Sequence, residues 1–285
     1  MNRAEDAFRA DIVEVGRRMY ARGYVASNDG NVSIRLDDNT ILTTPKSVSK
    51  GFMSPDMMVV VDLEGKKIRG TRDASSELLM HLEVYRNRPD VRAVVHAHPP
   101  TATGFAVAGI PLDRAVLAEV VTTLGSIPIA EYGTPSTPEL PAAVRRYIKA
   151  HDGLLLANHG ALTVAGDVYG AYYKMETIEH FAKISLVARQ LGREHLLSRE
   201  EVGRLQDLRG NYGIKSPAPI CTDGSMSSSD SDPASCQIVE APSSKGARLV
   251  PTDPADLDGE IRLSYRELTA LIEDAVKTLL GGQHG

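Results

Sequence analysis

Two hairpins constrain this chain more than any other feature of its sequence. The β-branched, apolar run 32–36 meets the turn Asp37-Asp38-Asn39 and returns as 40–45. The run 153–157 turns at Asn158-His159-Gly160 and returns as 161–164. Strand-length runs joined by Asp, Asn and Gly at a tight turn read as antiparallel pairs. Residues 57–62, 92–95 and 126–130 are further runs of strand length. Helical spacing lies between them: Phe8, Ile12, Val15 and Met19 within 4–23, then 75–85, 140–150, and 167–191 with Tyr169, Tyr172, Met175, Ile178, Phe181 and Ile184 on its face. Strand pairs interleaved with helices predict an α/β fold on a mixed, largely antiparallel sheet, not a doubly wound one.

Of the 285 residues, 42% are hydrophobic and 24% charged, with a net charge of -5. This balance fits a globular domain and speaks against a nucleic-acid or membrane-surface partner. No apolar run has bilayer length, and Met1-Asn2-Arg3-Ala4 is not the start of a signal peptide. A cytoplasmic location is expected, and Cys221 and Cys236, in a Ser/Pro-rich stretch, form no disulfide framework. The composition divides the chain into a main domain (1–215), a flexible linker (216–258) and a capped amphipathic helix (259–282).

Chemistry concentrates in a few stretches. In Val94-Val95-His96-Ala97-His98-Pro99-Pro100 the two histidines are i and i+2 on a strand, so they share a face and suit a borderline divalent metal. His159, at the turn of the second hairpin, is a candidate third ligand. Ser75 and Ser76 open a predicted helix, where free N–H groups favour an anion or form a cap. Gly30-Asn31 and Pro45-Lys46-Ser47 are two further loops with donors. Glu77 reads either as a first-turn carboxylate favoured by the helix dipole or as a general base beside a metal. His81, His151, His180 and His195 are expected at the surface or in supporting positions.

Asn31-Val32-Ser33, Thr44-Pro45-Lys46-Ser47, Ser75-Ser76-Glu77, His96-Ala97-His98, Ser126-Ile127-Pro128 and Asn158-His159-Gly160-Ala161 occur in a telling order. Across residues 5–213 that order and spacing resemble class II aldolases of the fuculose-phosphate aldolase, ribulose-phosphate epimerase and adducin superfamily. The resemblance implies a three-layer α/β/α fold and zinc on His96, His98 and His159, with manganese, cobalt or iron as alternatives. It places a substrate phosphate on Asn31, Lys46, Ser47, Ser75 and Ser76, and makes Glu77 the proton-transferring carboxylate. It further implies a homotetramer with active sites at subunit interfaces.

Tyr212-Gly213 matches the family's C-terminal pair, which makes Tyr212 the candidate acid. Leu117, with Glu119 nearby, stands where fuculose-phosphate aldolases have a tyrosine, and Lys46-Ser47 replaces the commoner Thr-Gly. The activity implied is cleavage of an L-fuculose or L-rhamnulose type 1-phosphate to dihydroxyacetone phosphate and lactaldehyde. The alternatives are a pentulose-phosphate 4-epimerase, a sugar-phosphate dehydratase or decarboxylase, and a non-catalytic adducin-like scaffold. Glutamate at 77 favours aldolase over epimerase, whose matching residue is usually aspartate. The segment 259–282 resembles encapsulation peptides that bind shell proteins of bacterial microcompartments.

Overall fold

The computed structural model describes residues 3–214 and 216–220. The expected terminal helix, and the linker beyond 220, lie outside the described residues. Eight strands are described: β1 (Asn31–Arg35), β2 (Thr40–Thr43), β3 (Val59–Asp62), β4 (Lys67–Arg69), β5 (Ala93–Ala97), β6 (Ile129–Ala130), β7 (Gly153–Leu156) and β8 (Gly160–Ala165). They form one sheet in the order β4-β3-β2-β1-β5-β8-β7-β6. Every neighbouring pair is antiparallel except β6 and β7. The sheet is therefore mixed and largely antiparallel, as the hairpin pattern predicts.

Seven α-helices are described: α1 (Arg3–Ala21), α2 (Leu78–Asn87), α3 (Pro100–Ala108), α4 (Ala118–Thr123), α5 (Glu139–Ile148), α6 (Val168–Gln190) and α7 (Arg199–Asn211). Strand alternation decides which face each helix covers. On β5, Ala93, Val95 and Ala97 join a core with Ile12 and Val15 of α1, Phe105 of α3, and Met175 and Ile178 of α6. Val94, between them, points the other way and packs with Leu82 of α2 and Val144 of α5. Two apolar cores, one on each face, make the three-layer α/β/α arrangement.

Several elements differ from expectation. Helix α2 starts at Leu78, because Ser75 forms a turn in which its Oγ and carbonyl accept from the backbone N–H of Glu77 and Leu78. The expected strand over 126–130 shrinks to two residues. Strand β4 and helices α3, α4 and α7 are additions. In α3 the prolines mark a beginning: Pro100 occupies the first turn, where no N–H is missed. The buried Glu179 of α6 caps that turn by accepting from Thr101 N (3.1 Å) and Ala102 N (2.8 Å). Residues Ser216 and Ala218 are buried, and Ala218 N donates to Ala150 O at 2.8 Å. No helix among the described residues is long and apolar enough to cross a membrane.

Candidate metal centre

Pairing of β1, β5 and β8 assembles the site. His96 on β5 lies opposite Asn31 on β1 and Leu162 on β8. The β7–β8 turn carries His159 to the same sheet edge, with Asn158 in the left-handed region (φ 55°) that asparagine tolerates. His98 lies just past the end of β5, held by donation of its N–H to Tyr24 O at 2.9 Å. Gly160 makes the close approach feasible. A Cβ there would lie 2.5 Å from Ala97 O and 2.6 Å from His98 Cδ2.

One ligand atom from each of His96, His98 and His159 falls within 4.8 Å of the others. The Nδ1 of His96 donates to Ala161 O at 2.9 Å, which leaves its Nε2 as a lone-pair donor. His98 turns its Nδ1 toward Asp29 Oδ2 (3.4 Å) and its Nε2 to within 3.1 Å of His96 Nε2. Burial, followed by the neighbouring His96 and His159, pushes the His98 pKa down to about 4. Three imidazoles whose ring nitrogens gather this closely are a donor set suited to a borderline divalent cation, so these residues fit a divalent metal.

Glu77 sits against this cluster. Its Oε1 is 3.0 Å from His159 Nε2, and its Oε2 is 3.4 Å from His96 Nε2. Asn31 Nδ2 donates to Oε2 at 2.8 Å. Burial alone would raise the carboxyl pKa, but the imidazoles of His96 and His159 outweigh it and hold the group well below the usual carboxylate range. Glu77 is thus kept ionised.

Behind Glu77 a short ladder joins β1 to α2. Asn31 meets Glu77; Ser33 Oγ meets His81 Nδ1 (2.7 Å) and Tyr85 Oη (2.8 Å); the Arg35 guanidinium lies 5.0 Å from the centre of the Tyr85 ring. Alternate strand residues therefore face helix residues one turn apart. His81 is buried, not superficial, and burial pushes its pKa down to about 3. His151 is also buried, whereas His180 and His195 are exposed.

The loops expected to bind phosphate run side by side. Pro45 bridges Ala74, Lys46 N donates to Asp73 O (2.9 Å), and Ser75 N donates to Thr44 O (3.1 Å). This pairing gathers Lys46, Ser47, Ser75 and Ser76 next to Glu77, with Lys46, Ser47 and Ser76 exposed. Ser47 adopts φ 58°, a conformation that glycine takes freely. Tyr212 is not drawn into this cluster; it ends α7 as an exposed residue, 68% accessible. A cleft of about 790 Å³ adjoins the His98 side through Tyr24 and Pro100, and Leu117, Glu119 and His180 also line it. Sequence reasoning passes over Asp29, the partner of His98, and the buried Lys50. Asp29 was legible only as part of a turn.

A three-layer α/β/α fold with histidines and a carboxylate at one edge of its sheet is the class II aldolase type. The family described as Class II Aldolase and Adducin N-terminal domain matches residues 10–186, and the chain belongs to it as an enzyme of the class II aldolase type. It is 34% identical over 181 residues to an L-fuculose phosphate aldolase of Methanococcus maripaludis, covering 64% of this chain and 97% of that one. It is 31% identical over 188 residues to the 3-oxo-tetronate 4-phosphate decarboxylase of Pectobacterium atrosepticum, covering 65% and 86%. The crystal structure of L-fuculose-1-phosphate aldolase from Thermus thermophilus superposes with a TM-score of 0.59 at 32% identity, covering 68% of this chain and 100% of that one.

Proposed function

We propose that this chain is a zinc-dependent aldolase that cleaves a deoxyketose 1-phosphate, of the L-fuculose or L-rhamnulose type, into dihydroxyacetone phosphate and lactaldehyde. The observation that carries the reading is the Glu77 carboxyl group set within 3.0–3.4 Å of two of three clustered imidazoles. His96, His98 and His159 would hold a divalent cation, which would supply positive charge where an oxyanion develops at the substrate carbonyl; zinc suits three imidazoles, and manganese, cobalt or iron are alternatives. Glu77 takes the C–H proton of dihydroxyacetone phosphate in the synthetic direction and returns it in cleavage. Asn31 orients that carboxylate through its 2.8 Å hydrogen bond.

Asn31, Lys46, Ser47, Ser75 and Ser76 receive the phosphate. The cleft bordered by Leu117 and Glu119 takes the aldehyde end, and leucine there leaves it without the tyrosine of fuculose-phosphate aldolases. The exposed Tyr212 acts as the acid, reaching a neighbouring subunit's site in a homotetramer. The segment 259–282, outside the described residues, is proposed as a microcompartment targeting helix. A reporter fused to it that stays diffuse in shell-producing cells overturns that assignment.

The test of the activity is deuterium exchange into dihydroxyacetone phosphate, followed by NMR. Exchange that is abolished by chelator and absent in Glu77→Gln supports the aldolase. Sequence similarity to a 3-oxo-tetronate 4-phosphate decarboxylase favours a second reading, decarboxylation of a 3-oxo acid phosphate. Bound metal without exchange, together with carbon dioxide release from such an acid, selects that reading instead.

A further inference from the structure

Lys50 is among the largest fully buried side chains of the described chain, 2% exposed. Its ammonium donates to two backbone carbonyls, Asn28 O and Val48 O, each at 2.8 Å. Those carbonyls belong to two different loops. One contains Asp29 and leads into Asn31; the other follows Lys46 and Ser47.

The position is built into the packing. Residues Lys50–Phe52 form a single 3-10 turn packed against α1. A Cβ on Gly16 of α1 would lie 2.7 Å from Lys50 O, and one on Gly51 would lie 2.5 Å from the Tyr20 ring. The two glycines allow backbone and helix to meet, and Lys50 is driven inward.

A buried ammonium is a costly way to tie two loops together. Its lost hydration exceeds what two neutral carbonyls return, and a neutral amide would bridge the same carbonyls at lower cost. What an amide lacks is charge. Asp29 and Glu77 are the charged groups that act on Lys50, and both pull its pKa upward against burial, which brings it down to about 8. The group is thus cationic at neutral pH and little screened by solvent.

We propose that Lys50 is a positioning residue and buried counter-charge for the substrate phosphate, clamping the Asn28–Asn31 and Lys46–Val48 loops as one unit and adding positive potential beneath them. This rests on the assignment of the phosphate to Asn31, Lys46, Ser47, Ser75 and Ser76. Lys50 does not touch substrate; it acts through the loops and through space. At an effective dielectric of about 20, a unit charge within about 10 Å of a dianion changes its affinity by roughly tenfold or more.

The experiment is calorimetric titration of the metal-loaded full-length protein with inorganic phosphate, using wild type, Lys50→Gln and Lys46→Ala. Lys50→Gln keeps a donor and removes the charge. It is expected to weaken phosphate about tenfold or more, and to raise KM for a phosphorylated substrate by a larger factor than it lowers kcat. A simple tether would tolerate glutamine and leave phosphate affinity in place.

If Lys46→Ala weakens phosphate while Lys50→Gln binds it as wild type does, the role of Lys50 is overturned and the phosphate site stands. If neither variant changes affinity, the phosphate assignment itself falls, and this proposal with it. Wild type alone gives an independent reading should Lys50→Gln not fold. Inorganic phosphate is nearly all dianion from about pH 8 to about 9.5, so loss of the Lys50 proton should weaken binding steadily across that range. Affinity that is flat across it overturns the proposal.

Discussion

Replacing Gly160 by alanine would add one methyl group at the most crowded point of the metal centre. The new Cβ would lie 2.5 Å from Ala97 O, 2.6 Å from His98 Cδ2 and 3.3 Å from His96 Cε1, whereas ordinary contact begins near 3.4 Å. The end of β5 and the His98 ring must therefore retreat by about 0.9 and 0.8 Å. Metal-ligand distances tolerate only about ±0.2 Å, so the displacement is several times what the site can absorb. Metal affinity should fall roughly 10- to 100-fold, the scale seen when groups supporting a ligand are lost. Overpacking should cost the fold only about 1–3 kcal/mol. Gly166→Ala is the control, since a Cβ there meets nothing within 4 Å. Competitive chelator titration with zinc or cobalt measures affinity, and thermal denaturation of the metal-free proteins measures stability. Should Gly160→Ala hold metal as tightly as Gly166→Ala, the account of a glycine-gated ligand geometry is wrong.

Further perturbations probe other parts of the site and the fold. Asp29→Asn removes the charge facing His98 Nδ1 at 3.4 Å and should lower metal affinity by about tenfold with little change in melting temperature; equal affinity in a chelator competition would refute it. Glu179→Ala strips two backbone N–H groups at the start of α3 of their acceptor and should cost about 2–3 kcal/mol by urea denaturation. A loss under about 0.5 kcal/mol would mean that the cap is dispensable. His81 binds its proton near pH 6.5 when unfolded but only near pH 3 when folded, so the unfolded state holds more protons between these limits. Its stabilising contribution, of order 5 kcal/mol, is complete above about pH 6.5 and is lost as pH falls toward 3. Urea unfolding at stepped pH should show a shallower acid limb in His81→Gln, and superimposable limbs would refute the assignment.

The parts legible in the sequence are those whose signals are local. The turn residues Asp37-Asp38-Asn39 and Asn158-His159-Gly160 mark both hairpins, and the largely antiparallel sheet follows from them. The histidine pair was legible because strand periodicity puts i and i+2 on one face, and β-pairing then sets Asn31 opposite His96. Helix α3 was not, because Pro99-Pro100 reads as a stop and its cap comes from Glu179, far away in sequence. Strand β4 is fully exposed and lacks apolar alternation. Helix α7 does carry a local signal, the Ser198–Glu201 capping box, but its exposed residues blur the helical stripe. Lys50 was illegible for a different reason: a lysine next to a glycine gives no sign that it will be buried.

The ladder between β1 and α2 works like a vernier. Two strand residues advance about 6.6–6.8 Å, and one helical turn of four residues about 6.0 Å, so the two scales slip by roughly 0.7 Å at each rung. Over three rungs the slip stays within what Asn31, Ser33 and Arg35 take up through side chains of different length and geometry. Sliding α2 by a single residue would turn every rung away by about 100°, so the helix has no small setting to move to. The only fine adjustment left at the reactive end is the length of the acid itself. One methylene, the difference between glutamate and aspartate at position 77, is thus the smallest step by which this architecture can re-aim its carboxylate.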